Sequence, residues 1–309
     1  MDIAPARLQV VKEIPKGRGW LYEPKFDGYR GWLMTNAAGH GAIYSRNAKD
    51  LGRFFPELVH LAKGLPRGTV LDGEIVQPTE NGVSFFELQQ RLAAPLARLR
   101  SAASESPVAF VAFDLLQERG EDIRKLTLSQ RRQRLEKAVA AVGSQLLQVI
   151  VQVDDAATAA AWLDDSVSMN GIEGVVAKQD EPYPKATVKR WQKVRRLTTS
   201  EFLVIGFVGE LGGPLRLVLG RHDGETVRIV GSTLPIGELD SKPLRELIPL
   251  AVPGERPLWA PFVKERIEDW YQLPRTLIAE VVVTRLDNEQ LRQPARFVRW
   301  RLTDPDALR

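Results

Sequence analysis

Short apolar runs bounded by turn residues constrain the fold of this chain more than any other feature. Such runs are typical of buried β-strands. In the first 196 residues they predict seven strands: Trp20–Glu23, Gly31–Thr35, Thr69–Val76, Val108–Leu116, Leu147–Val153, Gly174–Lys178 and Val188–Val194. Two helical stretches interrupt them: Ser84–Ser104 with a break at Pro95, and Ser129–Val142 with Ser129 as N-cap. We therefore expect an α+β domain with largely antiparallel sheets and flanking helices.

The pattern changes after Thr198, where strands follow one another with Gly or Asp-Gly turns between them. Five strands are predicted: Phe202–Val208, Leu215–Leu219, Thr226–Val230, Leu277–Val283 and Phe297–Trp300. Five strands in about 110 residues fit a small all-β barrel of the oligonucleotide-binding (OB) type, and a sandwich fragment is the alternative. Because 309 residues suffice for two cores, we predict two domains, residues 1–197 and 198–309.

The composition excludes several classes of protein. The chain has no cysteine, which excludes disulfides, thiolate metal sites and cysteine nucleophiles. Neither a signal peptide nor an apolar run of membrane-spanning length is evident, so we expect a cytoplasmic protein with no membrane partner. The net charge of +4 permits a polyanionic partner. From Leu197 onward, however, 15 Lys and Arg stand against 16 Asp and Glu, so nucleic-acid contacts would depend on local clusters.

The most informative motif is Glu-Pro-Lys-Phe-Asp-Gly-Tyr-Arg at residues 23–30. Its core is Lys25-x-Asp27-Gly28-x-Arg30. A lysine nucleophile needs neighbours that tune its charge, and a phosphate needs close backbone approach together with a cationic clamp. Glycine permits the close approach and arginine provides the clamp. Taken alone, the motif also fits a charged turn after a strand.

Further polar residues recur at the ends of the predicted strands. They are Ser45-Arg46-Asn47, Asp72-Gly73-Glu74, Phe113-Asp114, Glu173, Lys193 and Arg195. Singly, each has an ordinary explanation as a solvated strand-end charge or a core aromatic residue. Together, one lysine, two separated acids, one aromatic residue and several cations indicate a nucleotide site. Such a site stacks a base and binds phosphates and a metal ion beside a nucleophile.

In order and spacing these segments resemble the nucleotidyltransferase motifs of ATP-dependent DNA ligases, a superfamily shared with RNA ligases and mRNA capping enzymes. The resemblance covers nearly the whole chain. It is greatest to short stand-alone bacterial ligases of the ligase C type and to the ligase module of bacterial end-joining ligases. It implies an adenylation domain in residues 1–197 and an OB-fold domain in residues 198–309.

The resemblance also implies the role of each matching residue. Lys25 would be the nucleophile that accepts AMP, with Asp27 and Arg30 completing the catalytic motif. The residues placed around the nucleotide would be Glu23, Lys25, Arg30, Arg46, Glu74, Phe113, Glu173, Lys193 and Arg195. Among these, Glu23 would help select adenine and Phe113 would stack on it. The metal ligands would be Glu74 and Glu173, and Arg30 and Arg46 would contact DNA phosphate.

The last family motif resembles residues 296–301, and the resemblance implies that Arg299 and Arg301 orient pyrophosphate in the first step. Two positions depart from the family pattern. Arg195 stands where a second lysine is usual, which keeps the charge of the phosphate clamp but leaves the step rates open. Thr303 stands where an acid is usual, with Asp304 next to it, which leaves the role of Arg301 less defined.

The resemblance implies ATP and a divalent ion, Mg²⁺ or Mn²⁺, as cofactors and nicked double-stranded DNA as the substrate. We therefore expect an ATP-dependent DNA ligase that joins 5′-phosphate and 3′-hydroxyl ends through a lysyl-AMP intermediate and an adenylated DNA 5′ end. We also expect a bacterial cytoplasmic monomer that associates with the nucleoid when on DNA. A DNA-end-binding repair protein is a candidate partner.

Three alternatives differ from this expectation. An RNA ligase or a capping-type guanylyltransferase would use the same lysine chemistry, and GTP labelling or RNA ends would distinguish it. An NAD-dependent DNA ligase is disfavoured, because that family carries a cysteine zinc site and this chain has no cysteine. A non-catalytic nucleic-acid-binding OB protein would bind DNA in a salt-sensitive way without turning over ATP.

Overall fold

The computed structural model describes residues 4–164, 171–196, 198–209, 213–224, 226–238, 240–254, 270–283, 286–287, 290–291 and 293–301. The chain divides into two compact units, Met1–Arg196 and Leu197–Arg309. Each unit has a hydrophobic core of its own.

The first unit is a mixed α and β structure that is mostly sheet. Its strands are β1 (Leu8–Val11), β2 (Trp20–Phe26), β3 (Tyr29–Thr35), β4 (Gly41–Ser45), β5 (Thr69–Val76), β6 (Pro78–Thr79), β7 (Gly82–Val83), β8 (Ala109–Glu118), β9 (Glu121–Asp122), β10 (Leu147–Val149), β11 (Ile172–Gln179) and β12 (Trp191–Arg195). Its helices are α1 (Pro56–Ala62), α2 (Phe85–Ala93), α3 (Leu96–Glu105), α4 (Leu128–Ala140) and α5 (Ala156–Ala161).

Two larger sheets form the scaffold of this unit. One has four strands in the order β1-β12-β11-β2, and the other has the order β10-β8-β5-β3-β4 with β9 paired to β8. Neighbouring strands are antiparallel except in two pairs, β1 with β12 and β8 with β10, which are parallel. The main core lies between the second sheet and helices α1, α2 and α4, which contribute Leu58, Leu88 and Leu135.

Helix ends follow local chemistry. The predicted break at Pro95 is confirmed, because α2 ends at Ala93 and α3 begins just after the proline. The predicted N-cap at Ser129 is wrong. Thr127 caps α4 instead, because its side chain accepts from the N–H of Gln130 while the Gln130 side chain accepts from the N–H of Thr127. The true boundary therefore lies two residues earlier than the predicted one.

Strand boundaries differ where an apolar run continues into a turn. The strand predicted at Val188–Val194 begins only at Trp191. Val188 belongs to a turn, because its N–H donates a hydrogen bond to the carbonyl of Lys185. The run from Leu147 leaves the sheet after Val149. Several elements were not predicted from the sequence, among them β1, α1 and α5.

The second unit is built mostly of strands. They are β13 (Thr198–Val208), β14 (Arg216–Asp223), β15 (Thr226–Ser232), β16 (Val252–Pro253), β17 (Trp270–Val283), β18 (Leu286–Asp287), β19 (Gln290–Leu291) and β20 (Arg296–Arg301), with 3-10 turns at Lys242–Leu244 and Ile248–Leu250. The main sheet has the order β15-β14-β13-β17-β16, and β20 also pairs with β17. A parallel bridge between Thr233 and Ala295 joins the end of β15 to the start of β20.

Side chains from β13, β14 and β17 form the centre of the second core, among them Phe202, Leu217 and Val281. Among the parts of the chain that the structure describes, no helix combines the length and apolar character needed to span a lipid bilayer.

Candidate active site

A cavity of ≈ 560 Å³ lies in the first unit and is lined by strands of both large sheets. Strands β2, β3, β5, β8, β11 and β12 contribute to its walls, together with the loop that follows β4. Of the nine residues predicted to surround a nucleotide, seven line this cavity: Glu23, Lys25, Arg30, Arg46, Glu74, Phe113 and Lys193. Glu173 and Arg195 are outside the lining.

Lys25 lies near the end of β2, where its ammonium group forms an ion pair with Glu173. Glu173 is therefore part of the site although it does not line the cavity. The Lys25 side chain is 21% exposed, so its amino group remains accessible from the cavity. An amine in this position can reach a ligand once it has separated from its carboxylate partner.

Glu74 supplies a second carboxylate close to Lys25. Burial raises the pKa of Glu74 to about 7, against the opposing effects of Lys25 and Arg30, and Glu173 and Asp72 raise it further. Within the described part of the chain, no group of three or more acids or histidines could hold a metal ion. Because Mg²⁺ is commonly bound by one or two carboxylates together with phosphate oxygens and water, Glu74 and Glu173 still fit a divalent ion.

A buried ion pair between Glu23 and Lys178 lines part of the cavity. Glu23 is 2% exposed, and its Oε2 lies 2.6 Å from Nζ of Lys178. Its Oε1 accepts a 2.8 Å hydrogen bond from Nε2 of Gln152. Burial raises the pKa of Glu23, while Lys178 and Gln152 act against that rise. The carboxylate is thus held in one orientation as a hydrogen-bond acceptor facing the cavity.

Aromatic rings flank this pair. Nζ of Lys178 lies 4.7 Å from the ring centre of Phe113 and 4.1 Å from that of Trp191. Phe113 and Trp191 both line the cavity and meet edge to face. A flat heteroaromatic ring with polar edges would find apolar faces and hydrogen-bonding groups together here.

Three residues of this site were missed by the sequence reasoning. Lys178 is the one charged residue at the end of the predicted apolar strand Gly174–Lys178, and this charge could have identified it as a site residue. Trp191 lies two residues before Lys193 on the same strand and was not singled out. Gln152 lies 129 residues from Glu23, and nothing in its local sequence indicates the contact.

The guanidinium of Arg30 is bound by protein groups. Its Nε and Nη2 donate to the two oxygens of Asp72 at 3.0 and 2.7 Å, and Nη1 donates to the carbonyl of Ala6 at 2.7 Å. Nη2 also donates to the hydroxyl of Tyr183 at 3.0 Å. In this arrangement Arg30 braces the cavity wall, and its contact with DNA phosphate stays a prediction.

Asp27 and Gly28 shape the turn between β2 and β3. Asp27 is buried, and its N–H donates to the carbonyl of Gly171 at 2.9 Å. A Cβ atom at Gly28 would lie 2.2 Å from the carbonyl oxygen of Ile75. The glycine is therefore required for close approach of this turn to β5, which is a different reason from the phosphate contact considered above.

Two further cations line the cavity. Arg46 is exposed at the end of β4, where its N–H donates to the carbonyl of Arg30 at 3.2 Å. The pKa of Lys193 is lowered by burial and by the neighbouring charges of Lys25, Arg195 and Arg46. Arg195 is exposed two residues further along β12. This concentration of positive charge suits an anionic ligand such as a polyphosphate.

Arg299 and Arg301 belong to β20 of the second unit. Nε of Arg299 lies 2.7 Å from Oε2 of Glu280, and Nε of Arg301 lies 2.6 Å from Oε1 of Glu201. The departure at Thr303 and the neighbouring Asp304 lie outside the described residues.

Known proteins resemble this chain over most of its length. Residues 5–195 match the family model described as ATP dependent DNA ligase domain. The chain is 31% identical to DNA ligase C of Mycobacterium tuberculosis, with 97% of this chain and 90% of the relative covered. It is 32% identical to DNA ligase C2 of Mycolicibacterium smegmatis, with 78% and 67% covered.

Solved structures show the same fold. A mycobacterial DNA ligase D complexed with ATP and MES aligns at a TM-score of 0.55 and 25% identity, covering 99% of this chain and 98% of that one. The ligase domain of M. tuberculosis LigD aligns at a TM-score of 0.51 and 25% identity, covering 98% and 97%.

Proposed function

The chain belongs to the family of ATP-dependent DNA ligases, and from this premise we propose that Lys25 is the residue that carries AMP between ATP and DNA. The observation behind this proposal is the position of Lys25 in a cavity shared with Glu23, Phe113 and Lys193. These residues provide a hydrogen-bonding edge, an aromatic face and a cation around one amine. The same cavity would take ATP with its base toward Glu23 and its phosphates toward Lys193.

In the first step, Lys25 would attack the α-phosphorus in line and expel pyrophosphate, forming a phosphoramidate with AMP. Free lysine has a pKa of about 10.4, so a proton must leave the amine before the attack. Glu173 pairs with the ammonium group, and this ion pair must separate before the attack. Lys193 and Arg46 would balance the negative charge of the phosphates.

The family implies a divalent metal ion as well as ATP, and we assign Mg²⁺ or Mn²⁺ to Glu74 and Glu173. When bound, the ion would offset charge on the phosphate oxygens. The metal assignment is supported by the carboxylates of Glu74 and Glu173 near Lys25. Their mutual repulsion contributes to the raised pKa of Glu74. A cation between them would relieve this repulsion.

In the second and third steps, AMP would pass to the 5′-phosphate of a nick, and the 3′-hydroxyl would then displace it to seal the strand. Arg46, exposed at the cavity mouth, is the candidate for contact with DNA phosphate. Arg30 would contribute from the wall, with its guanidinium held by Asp72. The substrate under this proposal is nicked duplex DNA.

We propose that residues 1–197 form an adenylation domain and that residues 198–309 form an OB-fold domain. The support is its strand order, in which β14 lies between β13 and β15, and β17 lies between β13 and β20. The parallel bridge from Thr233 to Ala295 would close this sheet into a five-stranded barrel. Arg299 and Arg301 would orient pyrophosphate in the first step.

Among the relatives is a protein of Pseudomonas aeruginosa named multifunctional non-homologous end joining protein LigD, 31% identical over 81% of this chain and 30% of the relative. On that basis we propose a role in DNA repair with a DNA-end-binding protein as partner. We further propose a cytoplasmic monomer that associates with the nucleoid.

The test is incubation of wild type and Lys25→Ala with α-labelled ATP and, separately, α-labelled GTP, followed by denaturation and detection of labelled protein. We expect label from ATP alone, its loss in Lys25→Ala, and its transfer to nicked DNA in a chase. Lys25→Ala should still seal a nick that is already adenylated, because that step does not need the lysine. Label retained by Lys25→Ala would contradict the assignment.

The remaining outcomes separate the alternatives. Label from GTP would indicate capping-type chemistry, and transfer to RNA but not DNA would indicate an RNA ligase. DNA binding without label under either metal would indicate a non-catalytic binding protein.

A further inference from the structure

Strand β1 contributes Leu8 to the cavity wall, and among the described residues it is an edge strand of its sheet. It runs parallel to β12, with Leu8 opposite Trp191 and Val10 opposite Lys193. The side chains of Leu8, Trp191 and Lys193 all line the cavity. The position of β1 therefore affects the shape of the proposed nucleotide site, and an edge strand of four residues needs additional contacts to hold it.

Those contacts come from the hydroxyl of Tyr183. It accepts hydrogen bonds from the N–H of Ala6 and from Nη2 of Arg30, both at 3.0 Å, and donates to Oδ2 of Asp72 at 2.7 Å. A tyrosine hydroxyl has one donor and two acceptor positions, so its capacity is fully used. Since Arg30 also donates to the carbonyl of Ala6, both backbone polar groups of Ala6 are bound. We refer to Tyr183, Arg30, Asp72 and the backbone of Ala6 as the Ala6 latch.

The Ala6 latch is shielded from water. Asp72 is 0% exposed, Ala6 2% and Tyr183 7%. Burial and the charge of Asp72 raise the pKa of Tyr183 well above its ordinary value, so the hydroxyl keeps the proton that it donates. Removal of the hydroxyl would leave buried polar groups without their partner, which is costly where water cannot replace it.

The Ala6 latch also touches the aromatic walls. The Cζ atom of Arg30 lies 5.2 Å from the ring centre of Phe113 and 5.7 Å from that of Trp191. The Tyr183 ring packs edge to face on Trp191, with ring centres 5.4 Å apart. Tyr183 itself is outside the cavity lining, so any effect on the ligand must pass through these neighbours.

We propose that Tyr183 is a positioning residue for lysine adenylation, whose hydroxyl fastens β1 to the sheet and holds Arg30 beside Phe113 and Trp191. This inference rests on the proposed function, in which ATP occupies the cavity and reacts with Lys25. A preformed wall contacts ATP in the ground state and in the transition state alike. Loss of the hydroxyl therefore raises the ATP concentration needed for half-maximal rate and leaves the maximal rate nearly unchanged.

The test is Tyr183→Phe, which removes the hydroxyl and keeps the ring on Trp191. The rate of protein labelling by α-labelled ATP is measured in single turnover over a range of ATP concentrations. We expect a roughly 5- to 20-fold rise in the half-saturating ATP concentration, with the maximal rate within about twofold of wild type. A half-saturating concentration equal to that of wild type overturns the proposal.

Tyr22→Phe is the matched control. Tyr22 is 1% exposed, and its hydroxyl donates to the carbonyl of Pro15 at 2.7 Å, outside the cavity lining. A role limited to stability would lower the melting temperature of both variants and move the half-saturating ATP concentration of neither. We expect the melting temperature to fall in both and the ATP dependence to shift only in Tyr183→Phe.

Leu8→Ala tests the same route through β1. Its effect on the half-saturating ATP concentration should be less than additive with that of Tyr183→Phe, because both act through one strand. If Tyr183→Phe does not fold, Leu8→Ala alone decides, and an unchanged ATP dependence in it overturns the proposal. If the wild type is not labelled by ATP, the proposed function is contradicted. If both variants are labelled normally and their half-saturating ATP concentrations are unchanged, only the role of the Ala6 latch is contradicted.

Discussion

The carboxylate of Glu74 illustrates how single residues in this site depend on distant ones. Asp72, two residues earlier on β5, is fully buried and binds Arg30, whereas Glu74 lines the cavity. Because residues two apart on a strand share a face, the difference between the two acids comes from the groups that surround each side chain. The sequence Asp-Gly-Glu alone suggests two equivalent acids, and only the tertiary contacts of Asp72 with Arg30 and Tyr183 distinguish them.

Glu74 leads to a prediction about pH. Its pKa in the folded protein, about 7, is above that of an ordinary carboxyl, so the folded state binds the proton more tightly than the unfolded state. The stability from this group is complete below about pH 4.5 and is lost as the pH rises through 7. We expect the free energy of unfolding of the metal-free protein to fall by about 1–3 kcal/mol more in wild type than in Glu74→Gln between pH 5 and 8.

The measurement is urea denaturation of both proteins with chelator at pH 5, 6, 7 and 8. Contributions from groups that are common to both proteins cancel in the difference. Parallel pH profiles for wild type and Glu74→Gln would show that Glu74 has an ordinary pKa.

At the scale of elements, local signals located the break between two helices better than the ends of strands. Proline marked the break between α2 and α3, because its ring prevents continuation of the helix. Strand ends depend on whether a neighbouring strand continues the pairing, which the chain cannot encode locally. Strand β1 was missed for that reason, since four residues of mixed character become a strand only beside β12.

The capping box at α4 allows an element-scale prediction. Thr127→Ala removes the side-chain oxygen that accepts from the N–H of Gln130, and we expect a loss of about 1 kcal/mol in the free energy of unfolding. Gln133→Ala is the control, because Gln133 is an exposed interior residue of the same helix. Chemical denaturation of the two variants checks this, and equal stabilities for them would mean that the cap contributes nothing.

At the scale of the whole molecule, the residues proposed to act in lysine adenylation come from both units. The first unit contains Lys25 and the cavity, whereas Arg299 and Arg301 belong to the second. In the proposed mechanism the arginines act on pyrophosphate, which is present only in the first step. The contribution of the second unit to lysine adenylation can therefore be separated from its contribution to sealing.

We predict that Arg299→Ala combined with Arg301→Ala slows lysine adenylation at least tenfold, about 1.4 kcal/mol of transition-state stabilisation. Sealing of a pre-adenylated nick should stay within about twofold of wild type, because no pyrophosphate is involved. Arg245→Ala is the control, since Arg245 is a half-exposed arginine of the same unit paired with Glu238. Equal losses in adenylation and in sealing would indicate a general role in DNA binding instead.

The sequence by itself determined the residue types of the site, most of the strands and the helix break. It could do so because a nucleophile, acids, an aromatic residue and cations recur in one order, and because strand and helix periodicities are local properties. The tertiary structure alone decided which of these residues meet. Arg30 reaches Asp72 and Tyr183 across 42 and 153 residues, and Glu23 meets Gln152 across 129. These contacts form when the sheets pack and exclude water. A charge that is then buried needs hydrogen-bonding partners, and the fold determines which residues are close enough to provide them.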